Sequence, residues 1–342
     1  MTLLDSSLTH SIAAPHHRPD GSFRNPWPDS EVRGLRDVIR VVHARLASGV
    51  TDAPWRGAFP TATPSVVYPR ADEGHFAATW IGHSTVLLQI GGRNVLTDPV
   101  FCERASPVQW FGPRRVMAPA LAIDALPTLD AVLISHNHYD HLDKAAVRHL
   151  AAVHPRATWV VPLGLGACIR RWGVHDIVEL DWWHSADVSG LVVTGTPARH
   201  FSGRGINDRN KTLWCGFALS IRGWRGLFAG DTAYHGDFTE VGARCGPFDF
   251  VMLPIGAYEP RWFMGVVHMD PEEAVRVYTD LVSIHAEGPL PLMLAIHWGT
   301  FRLTDEPMDE PPRRAAERWR ALGLDPERLW ISRFGETRIV AR

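Results

Sequence analysis

The sequence predicts an α/β fold made of two similar halves, each a sheet with its helices, packed face to face. Three observations carry this. From Thr79 onward, short apolar runs bounded by glycine, proline and aspartate alternate with helical patterns. A unit of hairpin, aspartate and further apolar strand occurs twice. Ligand-type side chains stand where apolar strands end, most densely in His136-Asn137-His138-Tyr139-Asp140-His141.

Residues 1–74 are rich in helix breakers, as in Asn25-Pro26-Trp27-Pro28, and are expected to form an N-terminal extension packed on a core spanning residues 75–342. Within the extension a helix is predicted over residues 30–46. The core opens with a hairpin, Thr85 to Ile90 and then Val95 to Asp98 around Gly91-Gly92, followed by a strand over residues 130–134. Asp143 can cap a helix running to His154 whose apolar positions Ala146, Val147, Leu150 and Ala151 share a face, which leaves His149 and His154 in solvent. The second copy of the unit runs from Phe217 through a turn at Arg222-Gly223 to Asp231, with its further strand over residues 249–253. Asp270-Pro271-Glu272-Glu273 combines a cap, a first-turn proline and acids that suit the helix dipole, so a helix starts there. Ala274, Val275, Tyr278, Leu281 and Val282 form its buried stripe. A last helix over residues 312–322 is stopped by Gly323.

Composition narrows the function classes. Lysine plus arginine, 35 residues, nearly balances aspartate plus glutamate, 37, so no polybasic field marks a nucleic-acid partner. The start has neither the basic nor the apolar region of a signal peptide, and no apolar run is long enough to span a bilayer, so a cytoplasmic protein is expected. Four cysteines without a CxxC pair are expected as buried thiols, not as zinc ligands or a disulfide framework.

The six-residue cluster follows Ala131-Val132-Leu133-Ile134, so one strand end delivers four potential ligands to one place. Imidazole and carboxylate suit zinc, and four of them in one loop exceed the needs of a single open catalytic site, which suggests two metals. His200 follows the extended run 192–197, Asp231 ends the second hairpin, and His297 follows residues 293–296. With the loop they complete a seven-ligand set.

This pattern of HxHxDH, later histidine, aspartate and final histidine resembles the metallo-β-lactamase superfamily. Within it the chain is similar to the N-acylphosphatidylethanolamine-hydrolysing phospholipases D, through segments such as Arg104-Ala105-Ser106-Pro107, Asp181-Trp182-Trp183 and the run 254–264. The likeness spans residues 21–337; it departs in the N-terminal stretch and in residues 201–211. The resemblance implies an αββα sandwich, two mixed β-sheets flanked by helices, with a binuclear zinc site at one edge. His136, His138 and His200 would hold one zinc, Asp140, His141 and His297 the other, with Asp231 between them. Asp140 would orient the attacking water and accept its proton. His83 and Asp98 are either outer hydrogen-bond partners of the ligands or turn-stabilising residues. His268, just before the Asp270 cap, is expected near a helix N-terminus that suits a phosphate, as a catalytic or substrate-contacting residue. Tyr258, Arg261 and Trp262 are expected to contact substrate, the arginine neutralising a phosphodiester and the rings lining an acyl groove, with core packing the alternative for Trp262.

The implied activity is phospholipase D-type hydrolysis of a glycerophospholipid to phosphatidic acid and an N-acylethanolamine or related alcohol. The same ligands suit another phosphodiester, a lactone or a thioester. A di-iron oxidoreductase of this fold normally has a carboxylate where this chain has His138, which favours zinc and hydrolysis. The expected partners are a phospholipid and, transiently, a membrane surface touched as a peripheral protein; a homodimer is compatible with the sequence, and nucleic acid is not expected. For residues 159–172, with a tryptophan at each end, aliphatics and two arginines, the sequence leaves two readings: a membrane-contact surface, or a strand followed by a partly buried helix.

Overall fold

The computed structural model describes residues 14–31, 59–285 and 290–341, together with 33, 34, 36, 37, 40 and 43. The helix expected over residues 30–46 lies largely outside the described residues. The architecture is two seven-stranded mixed sheets with helices on their outer faces. The first half supplies β1 (His75–Gly82), β2 (Thr85–Ile90), β3 (Arg93–Thr97), β4 (Ala131–Leu133), β5 (Thr158–Pro162) and β6 (Ile177–Leu180). The second supplies β7 (Ser185–Val188), β8 (Leu191–Thr196), β9 (Gly216–Ile221), β10 (Trp224–Phe228), β11 (Phe250–Pro254), β12 (Leu292–Ile296) and β13 (Leu329–Trp330), and the chain closes with β14 (Thr337–Ala341).

Strand order shows the duplication directly. One sheet runs β14-β1-β2-β3-β4-β5-β6 and the other β13-β12-β11-β10-β9-β8-β7. In each, antiparallel pairing carries the chain through a hairpin, and three parallel pairings follow. The second sheet begins with β7 beside β8, and the first is completed out of sequence by β14 beside β1, both pairings antiparallel. The two hairpins turn alike, with positive φ at Gly91 and Gly92 and at Arg222 and Gly223, as two-residue turns that follow the strand twist require. A side chain at Gly91 would put its Cβ 2.9 Å from Ile221 of the other hairpin, so a glycine lets the two halves meet there.

Alternation along the strands divides two cores. Val86, Leu88, Val95 and Leu133 join Phe217, Leu219 and Phe228 between the sheets, while Leu87, Leu96, Val132 and Trp159 face outward. That outer layer is covered by α1 (Lys144–Val153), through Ala146, Val147 and Leu150, and by α2 (Gly166–Arg170), through Ile169. Asp143 caps α1 by accepting from the Ala145 and Ala146 amides. His149 pairs with Asp124 at the surface. His154, expected in solvent, is instead 8% exposed beneath the end of α1, where its Nδ1 accepts from the Leu129 amide. The second sheet carries α3 (Phe238–Cys245), α5 (Pro271–Val282) and α6 (Glu310–Ala321), with the single turn α4 (Arg261–Met264) before α5. α5 opens with the expected capping box and packs between α3 and α6.

Of the two readings left for residues 159–172, the fold shows the strand followed by a partly buried helix. Trp159, Val160 and Val161 are the middle of β5, and Leu165 and Ile169 are buried at α2, while Leu163 and Trp172 are part-exposed. Arg170 and Arg171 are left at the surface. No helix among the described residues is long and apolar enough to cross a membrane.

Residues 14–30 lie against the second half. His16 and His17 each direct Nε2 at one oxygen of Asp181, at 2.7 and 2.8 Å, and His16 stacks on Trp182. Trp27 stacks on His235, and the Asn25 amide donates to the carbonyl of His200 at 2.8 Å. This strap is therefore tied to the backbone of His200.

Candidate metal centre

The predicted ligands converge because each follows a strand whose C-terminal end points to the same edge. His136 comes three residues after β4, His200 four after β8, Asp231 three after β10, and His297 directly after β12. His297, and His83 and Asp98 beside the ligands, adopt backbone that side-chain-bearing residues rarely take: φ is 55° at His83, 31° at Asp98 and 63° at His297. Gly230, at φ 62°, makes the turn that presents Asp231, and a Cβ there would lie 2.8 Å from Ser135.

Two donor groups result. His136 Nε2 and His138 Nδ1 are 2.8 Å apart, with His200 Nε2 3.2 Å from the latter. His141 and His297 bring their Nε2 atoms to 3.2 Å, and each lies 3.5 Å from Asp140 Oδ2. Asp231 Oδ2 stands between the groups, 3.0 and 3.1 Å from His141 and His297 and 3.8 and 3.9 Å from His136 and His200.

Hydrogen bonds behind the rings fix which nitrogen faces inward. The Asp98 carboxylate accepts from His141 Nδ1 at 2.6 Å, and from the Ser135 amide and hydroxyl. The Ser135 proton is thereby committed, so its oxygen accepts from His136 Nδ1. His200 Nδ1 donates to the Val267 carbonyl. His136, His141 and His200 are thus left with Nε2 lone pairs aimed at the centre. His83 Nε2 is 3.2 Å from Asp140 Oδ2, and the hydroxyl of Thr300 accepts from the His83 amide at 2.7 Å. His83 and Asp98 thus sit as hydrogen-bond partners of ligand residues.

Electrostatics agree with a cation-binding purpose. Burial, then neighbouring imidazoles, holds His136 well below its usual range and lowers His138 to about 3, keeping both neutral donors. Burial brings His200 to about 4. Burial alone would raise Asp140 and Asp231, but His141 and its neighbours hold both carboxyls well below the usual range. Burial opposes protonation of His141 and His297 too, yet Asp231 and Asp140 lift the first well above its usual value and the second to about 9. These acids demand positive charge. Asp231 Oδ1 is buried with no hydrogen-bond partner, and the neutral imidazoles of His136, His138 and His200 face one another within 3.2 Å with lone pairs that only a proton or a metal can satisfy. The donor set fits metal ions.

His268 reaches the same space, with Nε2 3.9 Å from Asp231 Oδ2 and Nδ1 unpartnered. The reason given for it from sequence does not hold. The N-terminus of α5 is closed by its own capping box, with Asp270, Glu272 and Glu273 in its first turn, and so offers an anion no seat.

The three other expected substrate contacts are placed elsewhere. Tyr258 is buried, its hydroxyl donating to Glu310 at 2.8 Å with Arg314 over its ring. Arg261 is held by Glu273 at 2.8 Å and Asp270 at 3.4 Å, and donates to the His268 carbonyl, so it positions that histidine instead of meeting a phosphate. Trp262 is 39% exposed, under the Arg40 guanidinium, neither in the core nor at the centre.

Two contributors escaped the sequence. Ser135 was foreshadowed only by preceding His136. Arg204, in a loop with no recognisable motif, donates to the carbonyls of Asn137 and Leu142 at 2.9 and 2.7 Å and lies over the Tyr139 ring, clasping the ligand loop from behind. Tyr139 returns a hydrogen bond to the Arg204 carbonyl.

Comparison with known proteins adds four likenesses. A family model described as "Beta-lactamase superfamily domain" matches residues 93–298. The chain is 45% identical over 306 residues to Rv0906 of Mycobacterium tuberculosis, covering 89% of this chain and 79% of that one. It is 39% identical over 256 residues to the N-acyl-phosphatidylethanolamine-hydrolyzing phospholipase D 1 of Caenorhabditis elegans, covering 72% and 70%. Among solved structures, Igni18, described as a metallo hydrolase of the archaeon Ignicoccus hospitalis, matches 78% of this chain and 99% of that one with a TM-score of 0.57. At 19% identity that last likeness concerns the fold.

Proposed function

We propose, because the chain belongs to the beta-lactamase superfamily, that it is a zinc-dependent phosphodiesterase of the phospholipase D type, cleaving a glycerophospholipid to phosphatidic acid and an N-acylethanolamine or related alcohol. It is a metal-dependent hydrolase of that superfamily; the metal's identity and the substrate are the proposal. The observation that carries it is the division of seven ligand residues into two donor groups sharing one carboxylate oxygen, Asp231 Oδ2.

His136, His138 and His200 would hold one zinc and Asp140, His141 and His297 the other, with Asp231 common to both. Bound there, two zinc ions lower the pKa of water and stabilise negative charge on a phosphodiester. The chain's own residues supply the rest. Asp140, its Oδ2 steadied by His83, is placed to receive a proton from an attacking water. Asp98 and Ser135 keep His141 and His136 in the ligating tautomer. His268 directs Nε2 into the same space, 3.9 Å from Asp231 Oδ2, where it can donate to a phosphodiester oxygen or the departing alkoxide. The substrate class is supported by the likeness to the nematode phospholipase, and the protein would meet it as a peripheral visitor to the bilayer.

The test is to incubate the metal-loaded protein with N-acylphosphatidylethanolamine and resolve the products by mass spectrometry. Phosphatidic acid with N-acylethanolamine is the expected pair. Release of free fatty acid would assign the site to ester chemistry at carbon.

A further inference from the structure

The N-terminal strap carries two adjacent histidines, His16 and His17, in a run broken by Pro15 and Pro19. Neighbouring side chains of an extended chain point to opposite sides, yet here both rings reach one carboxylate. A turn closed by the His17 amide on the Ala14 carbonyl, at 2.8 Å, brings them round, and the Arg24 amide secures it by donating to the His16 carbonyl at 2.9 Å. The rings meet edge to face with centroids 4.6 Å apart, and both Nε2 atoms converge on Asp181, the residue that follows β6. The three donor atoms lie within 4.8 Å of one another, in a group that shares no residue with the catalytic ones. Their separations from the carboxylate, 2.7 and 2.8 Å, resemble the 2.8 Å between the catalytic donors His136 and His138.

We propose that His16, His17 and Asp181 form a structural site for a divalent cation of the zinc class, separate from the catalytic centre, which clips the strap to the end of β6. Two imidazoles and a carboxylate are a zinc donor set. The surroundings supply the outer support that such a site needs. Asp181 is oriented from behind, its Oδ1 accepting from the Trp182 amide at 2.8 Å. His16 stacks on Trp182, whose indole N–H donates to the Trp214 carbonyl, and Phe23 meets His17 edge-on at 5.1 Å, so both rings are held by fixed neighbours. His16 is buried while His17 is part-exposed, which gives an ion a way in and leaves a remaining coordination position to water. Metal–ligand bonds of about 2.0–2.2 Å would spread the donors by roughly half an ångström, a movement open to the part-exposed ring. The clip bears on the catalytic centre as well, because Asn25, further along the strap, holds the His200 carbonyl.

Hydrogen bonds from both rings to Asp181 would give the same separations without a metal, and His17→Gln separates the two cases. Its amide can still donate to the carboxylate but is a poor zinc ligand. Wild type and variant are dialysed against the same chelator-buffered zinc and their metal content is read by elemental analysis. The variant should fall short of the wild type by one equivalent per chain; equal zinc in both overturns the site, whatever the catalytic centre holds. The second readout is trypsin cleavage after Arg24, on the exposed side of the strap. Zinc should slow it in the wild type and leave it unchanged in His17→Gln, whereas equal slowing in both would assign the protection to the catalytic centre acting through Asn25 and overturn the clip. Should the variant melt early, labelling of the wild-type histidines by diethyl pyrocarbonate decides. Zinc should shield His16 and His17 from the reagent, and labelling there that zinc does not change overturns the proposal.

Discussion

Asp231 is the side chain on which the centre turns, since one of its oxygens is shared by both donor groups. Asp231→Ala is therefore expected to lose metal from both positions, whereas His297→Ala should weaken chiefly one; elemental analysis of the purified variants reads the difference. Behind the ligands, Asp98 makes a 2.6 Å bond to His141 from a fully buried position. Asp98→Asn keeps the shape but can present an amide proton to His141, and a loss of about 10- to 100-fold in metal affinity should follow, measured by competition with a chelator. These residues were legible in the sequence because each ends an apolar strand, so position and ligand chemistry coincide. Tyr258 and Arg261 were not, because what claims them lies elsewhere: Glu310 at the start of α6 and the acids at the head of α5. A side chain's own chemistry does not reveal that a distant partner has already engaged it.

Among the elements, the N-terminal strap shows how a segment with little regular structure is held in register. Burial alone would raise the Asp181 carboxyl, but hydrogen bonds from His16 and the Trp182 amide outweigh it and hold the group below its usual range. A depressed carboxylate stabilises the fold above its unfolded pKa and ceases to do so as pH falls through the folded value. Asp181→Asn should cost about 1–3 kcal/mol near neutrality, and its melting curve should converge on that of the wild type below about pH 4. β5 and α2 teach a different lesson. A strand buried on both faces has the composition of an interfacial segment, and only the covering layer of α1 and α2 tells them apart. Leu165→Ser should accordingly destabilise the fold by about 2–5 kcal/mol in thermal or urea melts, as a core deletion does.

For the whole molecule, the repeated hairpin and strand made the two-sheet plan readable, since the same apolar pattern and turn chemistry occur in both halves. The return of β14 to the first sheet was not readable. Nothing local in Thr337–Ala341 says that it pairs with β1 and not with its neighbours in sequence. Long-range pairing decides this. That return also sets an order of events during synthesis. β14 emerges after every other described strand, so until then β1 presents its backbone amides and carbonyls along an open edge, the kind of edge on which chains aggregate. A ribosome stalled before Thr337 would hold a second sheet with all its strands beside a first sheet still lacking one. Chains ending at residue 336 are expected to accumulate in the insoluble fraction when expressed, and to do so far less when a peptide of the β14 sequence is co-expressed. Closure of the first sheet thus waits on the strand that emerges after every other described one, which makes β14 a timer for the fold.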